Sequence, residues 1–165
     1  MEMTHLQDLF IDNLKDLYSA EKQLLKALPK VAKAVESDEL RTAIQEHIGQ
    51  TEQHVERLEQ IFERLGASTR GKKCKDMEGL IEENKELLEE DAEPEVLDAG
   101  LIVGSQKIEH YEIAGYGSAV TFAKVLGDEE SARLLAQTLD EEEKTDRRLT
   151  EIAKSSINLQ AAQGA

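Results

Sequence analysis

The stretch YSAEKQLLKAL, residues 18–28, puts an acid where a helix should be apolar. Glu21 follows Leu14 by one heptad and precedes Leu28 by one, with Val35 a heptad further on. At about 3.6 residues per turn these four side chains share one stripe of a helix, the stripe that a helix buries. Outward from Glu21, Leu6, Phe10, Leu17, Leu24 and Val31 extend the pattern into a first long helix over about Thr4–Lys33. Pro29 is expected to bend or break it near its C-terminal third.

Three more long helices follow from the same periodicity. Ser37 or Asp38 caps a second helix that runs through Leu40, Ile44, Ile48, Val55, Leu58 and Phe62 to Leu65, where Gly66 ends it. A third is expected over about Glu95–Leu126, closed by Gly127, and a fourth over about Asp128–Ser155. Residues 66–94 are a long crossover, with DMEGLIEENKELLEE (76–90) as a shorter amphipathic helix inside it. Two helical hairpins joined by one long connection predict an all-α, ferritin-like four-helix bundle. Residues 1–165 read as a single domain: bundle over about 4–155, frayed tail over 156–165.

The chain also repeats itself. A shift of 91 positions lays the first hairpin on the second without a gap, Leu6 on Leu97, Glu21 on Glu112, Arg57-Leu58 on Arg148-Leu149 and Ile61 on Ile152. Two related hairpins are therefore expected to face each other across a pseudo-twofold axis.

Composition narrows the function. With a formal net charge of −15, the chain lacks the excess of Lys and Arg that binding to nucleic acid or an anionic membrane surface requires. No apolar run reaches membrane-spanning or signal-peptide length. One cysteine, Cys74, permits no intramolecular disulfide, so a cytoplasmic setting is expected. Cys74 lies in RGKKCK, either a thiol activated by neighbouring charge or a loop thiol among solubilising lysines.

The seam carries more acids than Glu21. Glu112 is at the centre of the face formed by Leu101, Ile108, Gly115, Ala119 and Leu126. Glu142 stands between Leu135 and Leu149, and Asp146 between Leu139 and Ala153. Glu21 lies 17 residues before Asp38 and Glu142 lies 14 after Asp128, so their depths in the bundle agree. On the second helix, Thr51 is central, with His47 and His54 flanking it and Gln50 further round. Glu109 and Glu52 sit at stripe edges as candidate ligands or supporting groups. Tyr18 and Tyr116 are candidates to hydrogen-bond the acids, while His5 and His110 read as structural. A buried, unpaired carboxylate costs several kcal/mol. Lys22, Lys26, Lys30, Arg57, Lys107 and Arg148 all fall off the apolar stripes. Either the acids hold protons, with raised pKa values, or cations fill the site. Carboxylate and imidazole together suit two divalent ions of iron or manganese. Glu21, His47, His54, Glu112, Glu142 and Asp146 are the candidate metal ligands.

LFIDNLKDLYSAEKQLLKALPK, KKCKDMEGLIEE, QKIEHYEIAGYG and LDEEEKTDRRLTEIA resemble the YciF-type family of bacterial ferritin-like proteins, over about residues 3–155. The resemblance implies a dinuclear metal site inside the bundle, with Glu21 and Glu112 as the single-Glu positions and further ligands from the second and fourth long helices. It also implies a link to stress responses. The chain departs from the wider superfamily in lacking Glu-x-x-His on either of those helices. It offers Glu142-x-x-x-Asp146 on one and His47, Gln50, Thr51 and His54 on the other, with Gln50 where relatives carry Glu.

The expected function is that of a metal-binding stress protein with weak oxidase or peroxidase activity on a small-molecule oxidant. The alternative is a non-catalytic helical protein acting by self-association. A homodimer or larger assembly is expected because AGLIVGS and IAGYGSAV make the third long helix apolar or small on more than one side.

Overall fold

In the computed structural model, which describes residues 3–163, the first helix does not break at Pro29: α1 runs unbroken from Leu6 to Ala34. Proline removes one backbone donor, but Leu28, Val31 and Ala32 around it are buried, and their packing holds the turn. At the other end the Asp8 carboxylate accepts hydrogen bonds from the Thr4 and His5 backbone N–H groups. α2 (Asp38–Leu65) opens on Ser37, whose hydroxyl accepts from the Leu40 N–H. It closes on Gly66, left-handed at φ 59°. Asp98, buried, accepts from the backbone N–H groups of Glu36 and Ser37 at 3.0 and 2.8 Å, which ties the α1–α2 turn to the facing hairpin.

The crossover carries α3 (Lys75–Glu89). Cys74 is its N-cap: the sulfur accepts from the Met77 N–H, the Cys74 N–H donates to Ser19 Oγ, and Gln23 Nε2 donates to the Cys74 carbonyl. The cysteine is buried, and burial pushes its thiol up rather than down. The reading of an activated thiol does not hold; Cys74 is a loop-end thiol among exposed lysines, itself buried. Its role is to fasten α3 to α1.

α4 (Pro94–Val125) begins with proline in the first turn, and α5 (Glu129–Ile152) is capped by Asp128. Among the described residues the chain stays helical after 156. A π-turn over Ala153–Ile157 buries Ile157 and leads into α6 (Asn158–Gln163), while residues 164–165 of the expected tail lie outside the described residues. α4 packs against α1, α3, α5 and α6, so its additional apolar faces are largely covered within the chain. No strand occurs among the described residues, and the architecture is the ferritin-like bundle with a helical crossover. No helix among them is long and apolar enough to cross a membrane.

The core forms two lobes. One gathers Leu28, Val35, Leu40, Ile44, Leu101 and Leu149; the other gathers Phe10, Leu14, Phe62, Tyr116, Ala119 and Leu135. On α1 Glu21 follows Ala20 at the boundary between the lobes, and on α2, α4 and α5 the stretches between the lobes hold His47 and His54, Glu109 and Glu112, and Glu142.

Candidate metal centre

Glu21, His47, His54, Glu109, Glu112 and Glu142 are all buried between the lobes. They form two groups that share one carboxylate. Glu21, His54 and Glu142 each offer a ligand atom within 4.8 Å of the others, and so do His47, Glu109, Glu112 and Glu142. Glu142 spans both, with Oε1 2.9 Å from His54 Nδ1 and Oε2 3.9 Å from His47 Nε2. Buried histidine and carboxylate groups in this arrangement could hold a metal.

The two imidazoles are oriented from behind. His54 Nε2 lies 2.9 Å from Glu141 Oε2, and Glu141 is gripped by both arms of Arg57 at 2.7 and 2.9 Å. A ring N–H given to a carboxylate leaves the other nitrogen free to ligate, the arrangement that supports most histidine ligands. His54 Nδ1 then faces Glu21 Oε1 at 3.2 Å as well as Glu142. His47 Nδ1 lies within 3.4 Å of Gln50 Oε1 and 3.5 Å of Thr145 Oγ1, while its Nε2 is 3.2 Å from Glu109 Oε1.

These inward contacts are close, yet their angles do not make hydrogen bonds. Glu21 Oε2, His47 Nε2, His54 Nδ1, Glu109 Oε2 and both carboxylate oxygens of Glu112 and of Glu142 are buried without a hydrogen-bond partner. Orphaned buried polar atoms are rare in folded proteins. Eight of them meet in one layer, six carboxylate oxygens and two imidazole nitrogens, atom types that could hold a metal once deprotonated.

Electrostatics differ along the layer. Burial, then the charge of Glu142, pushes Glu109 and Glu112 well above the usual carboxylate range. Burial also acts on Glu142, but His47 and His54 outweigh it and hold that acid at about 2. His54 resists burial through Glu141, Glu142 and Glu21, which raise it to about 11. Tyr116 donates its hydroxyl to Glu21, and burial drives its own pKa upward.

Of the six residues expected as ligands, five converge here. Asp146 does not. Its Oδ1 accepts from Gln106 Nε2 at 3.1 Å, and it faces the exposed His110 at 3.5 Å. Thr51 donates to the His47 carbonyl and offers nothing to the layer, and Glu52 is exposed. Tyr18 donates to Glu59, away from the centre. Arg57 reverses the sequence reading. It falls off the apolar stripe of α2, yet it is buried against α5. Glu109 is a full member of the layer, and its place one turn before Glu112 on α4 is the signal that marks it.

A sequence profile described as "Domain of unknown function (DUF892)" matches residues 5–162. Protein YciF of Escherichia coli (strain K12) is 44% identical over 162 residues, covering 98% of each chain. The crystal structure of YciF, described as a stress protein, superposes with a TM-score of 0.91 over 94% of this chain and 99% of that one. YcfI from Rhodopseudomonas palustris, at 36% identity, superposes with a TM-score of 0.87 over 90% of this chain and 95% of that one. The chain belongs to the DUF892 family, and its closeness to YciF extends over nearly the whole length of both proteins.

Proposed function

We propose that the polar layer holds two divalent ions, iron or manganese, and that the protein uses them as a weak oxidase or peroxidase in a stress response. The observation that carries this reading is the support behind His54. Arg57 and Glu141 fix the ring so that Nδ1 points at two carboxylates that make no hydrogen bond to it. Glu21, His54 and one oxygen of Glu142 would hold the first ion. His47, Glu109, Glu112 and the other oxygen of Glu142 would hold the second. A metal pair bound there would supply Lewis acidity and electrons to a small oxidant. The protein contributes order and dryness. Leu17 and Ala20 on one side and Ile108 on the other are buried, so the ligand atoms sit in a low-dielectric seam. Glu109 and Glu112, which favour the protonated state in that seam, would release protons as an ion binds.

A second reading has its own support. In the absence of metal, a protonated His54 neutralises one acid, and the raised Glu109 and Glu112 remain neutral. The bundle could then act without catalysis, by self-association. Val96 and Val103 on α4 and Leu159 on α6, each about half exposed or more, would form the contact of a dimer or larger assembly. A cytoplasmic setting suits either reading, since Cys74 is a free buried thiol. Elemental analysis of protein purified without chelator or metal-affinity resin separates the two. Two iron or manganese ions per chain are expected, and metal-free protein that takes up neither ion favours the second.

A further inference from the structure

Two cavities meet at the same three side chains. The outer is a groove of about 150 Å³ between α1 and α3, walled by Leu24, Ala27, Ile81 and Leu88. The inner holds about 20 Å³ and is lined by His47 and Glu109 together with Ser105, Thr145 and Leu149. Leu28, Asn84 and Ile108 line both. We infer that these cavities are one passage by which a small uncharged oxidant reaches the His47–Glu109 side of the centre, and that Asn84 on the crossover helix is its gate. The inference rests on the metal reading for its chemistry, but not for its geometry.

Asn84 is an unusual residue at this place. Only Met77 and Asn84 of α3 are buried, so the helix inserts one apolar and one polar side chain. The residue is 7% exposed; its amide makes no hydrogen bond among the described residues, and its nitrogen and oxygen keep accessible surface. It lies so close over Gly104 that a Cβ there would come within 1.6 Å of Asn84 Oδ1. Gly104 therefore makes the room that Asn84 occupies.

Size and charge define what can pass. The inner cavity accommodates about one or two heavy atoms, judged by the volume a single water needs. The outer groove is mostly aliphatic, so an ion crossing it would lose its hydration without replacement. Lys26, Lys30 and Lys85 at the outer groove also repel an approaching cation. Metal ions would enter elsewhere. Dioxygen and hydrogen peroxide share the properties this passage admits, being uncharged and only two heavy atoms long.

Two arms test the gate. Metal-free protein under dioxygen pressure is followed by methyl NMR. Paramagnetic relaxation should rise at Leu24, Ile108 and Leu149 and stay low at Leu14 and Leu135 in the other lobe. Asn84→Phe should abolish the effect at Leu149 and keep it at Leu24, while Asn84→Ala keeps both. In the second arm, iron-loaded wild type and N84F should bind equal iron. Oxidation by dioxygen or by hydrogen peroxide should slow about tenfold in N84F, an added barrier of about 1.4 kcal/mol, and not slow in N84A. Slowing with one oxidant alone assigns the passage to that oxidant. No relaxation at Leu149 in the wild type, or equal oxidation rates in N84F, overturns the inference. Failure of the wild type to bind iron counts against the proposed function instead, and the dioxygen arm then decides the passage by itself.

Discussion

The two ends of the polar layer solve the same problem differently. At the His54 end, charge is compensated by protein. Arg57, Glu141 and His54 form a chain of ion pairs, Tyr116 donates to Glu21, and the Thr138 hydroxyl accepts from Arg57. At the His47 end, Glu109 and Glu112 meet a single imidazole, and both oxygens of Glu112 are orphaned. The first end can stand without a metal. The second is stable only if its acids take protons or an ion. The difference is one of compensation: the protein's own charges support the His54 end, the least compensated acids lie at the His47 end, and Glu142 joins them.

Substitutions at the two ends should test that difference. The largest loss is expected from Arg57→Ala, which strands Glu141 beside His54. Breaking a buried pair costs about 3–5 kcal/mol, and the lower figure applies because Glu141 keeps some solvent exposure. Urea unfolding of metal-free protein should show it, and an unchanged midpoint would erase the distinction between the ends. Metal comes next. An ion that binds only the folded state adds about 2.7 kcal/mol at a hundredfold excess over its dissociation constant. Thermal unfolding in Fe²⁺ or Mn²⁺ against chelator should reveal that gain. Glu112→Leu should act oppositely on the two states. It removes a buried acid without a hydrogen bond, so metal-free protein should gain about 1 kcal/mol or more, while the response to metal weakens. Loss of stability in both states would mean that Glu112 is paired in a way the structure does not contain.

The dependence on pH follows from the same groups, and both ends contribute to it with the same sign above the ordinary carboxylate range. Glu109 and Glu112 have raised values in the folded chain, so between the ordinary carboxylate range and those values the folded state binds more protons than the unfolded. Raising pH through that window costs stability. His54 adds to the slope: its contribution is complete below its ordinary 6.5 and is lost as pH rises through about 11. Glu141, held at about 2, contributes above its ordinary 4.5 and loses that contribution only as pH falls through about 2. Metal-free protein should therefore weaken as pH rises above the ordinary carboxylate range and further as it rises above 6.5, and the stabilisation by metal should grow over the same range as ligands lose protons more readily. Parallel thermal scans with metal and with chelator measure both slopes.

How much of this was legible in the sequence follows from side-chain reach. Heptad spacing placed Glu21, Glu112 and Glu142 at one depth because their Cα positions alone decide it. The same spacing selected Asp146, one turn beyond Glu142, where a shorter side chain is captured by Gln106. It missed Arg57, whose Cα is off the stripe but whose long stem carries the guanidinium into the seam between α2 and α5. The 91-residue repeat held a further clue. It sets Thr51 on Glu142, Gln50 on Glu141 and His54 on Thr145, so the hairpins exchange acid for neutral residue and imidazole for hydroxyl. That exchange is why two imidazoles come from α2 alone. α1 continues through Pro29 and the chain stays helical to Gln163 because packing overrides local propensity: Leu28 and Val31 in the one case, Ile157 in the other, are buried.

The central claim, that this layer is a two-ion metal centre, is tested most directly by anomalous diffraction from crystals of iron- or manganese-loaded protein. The account predicts two peaks at the metal edge inside one bundle, one among Glu21, His54 and Glu142 and the other among His47, Glu109, Glu112 and Glu142. Data collected at the edge with no peak in the layer, and with His54 paired to both Glu141 and Glu142, would contradict it.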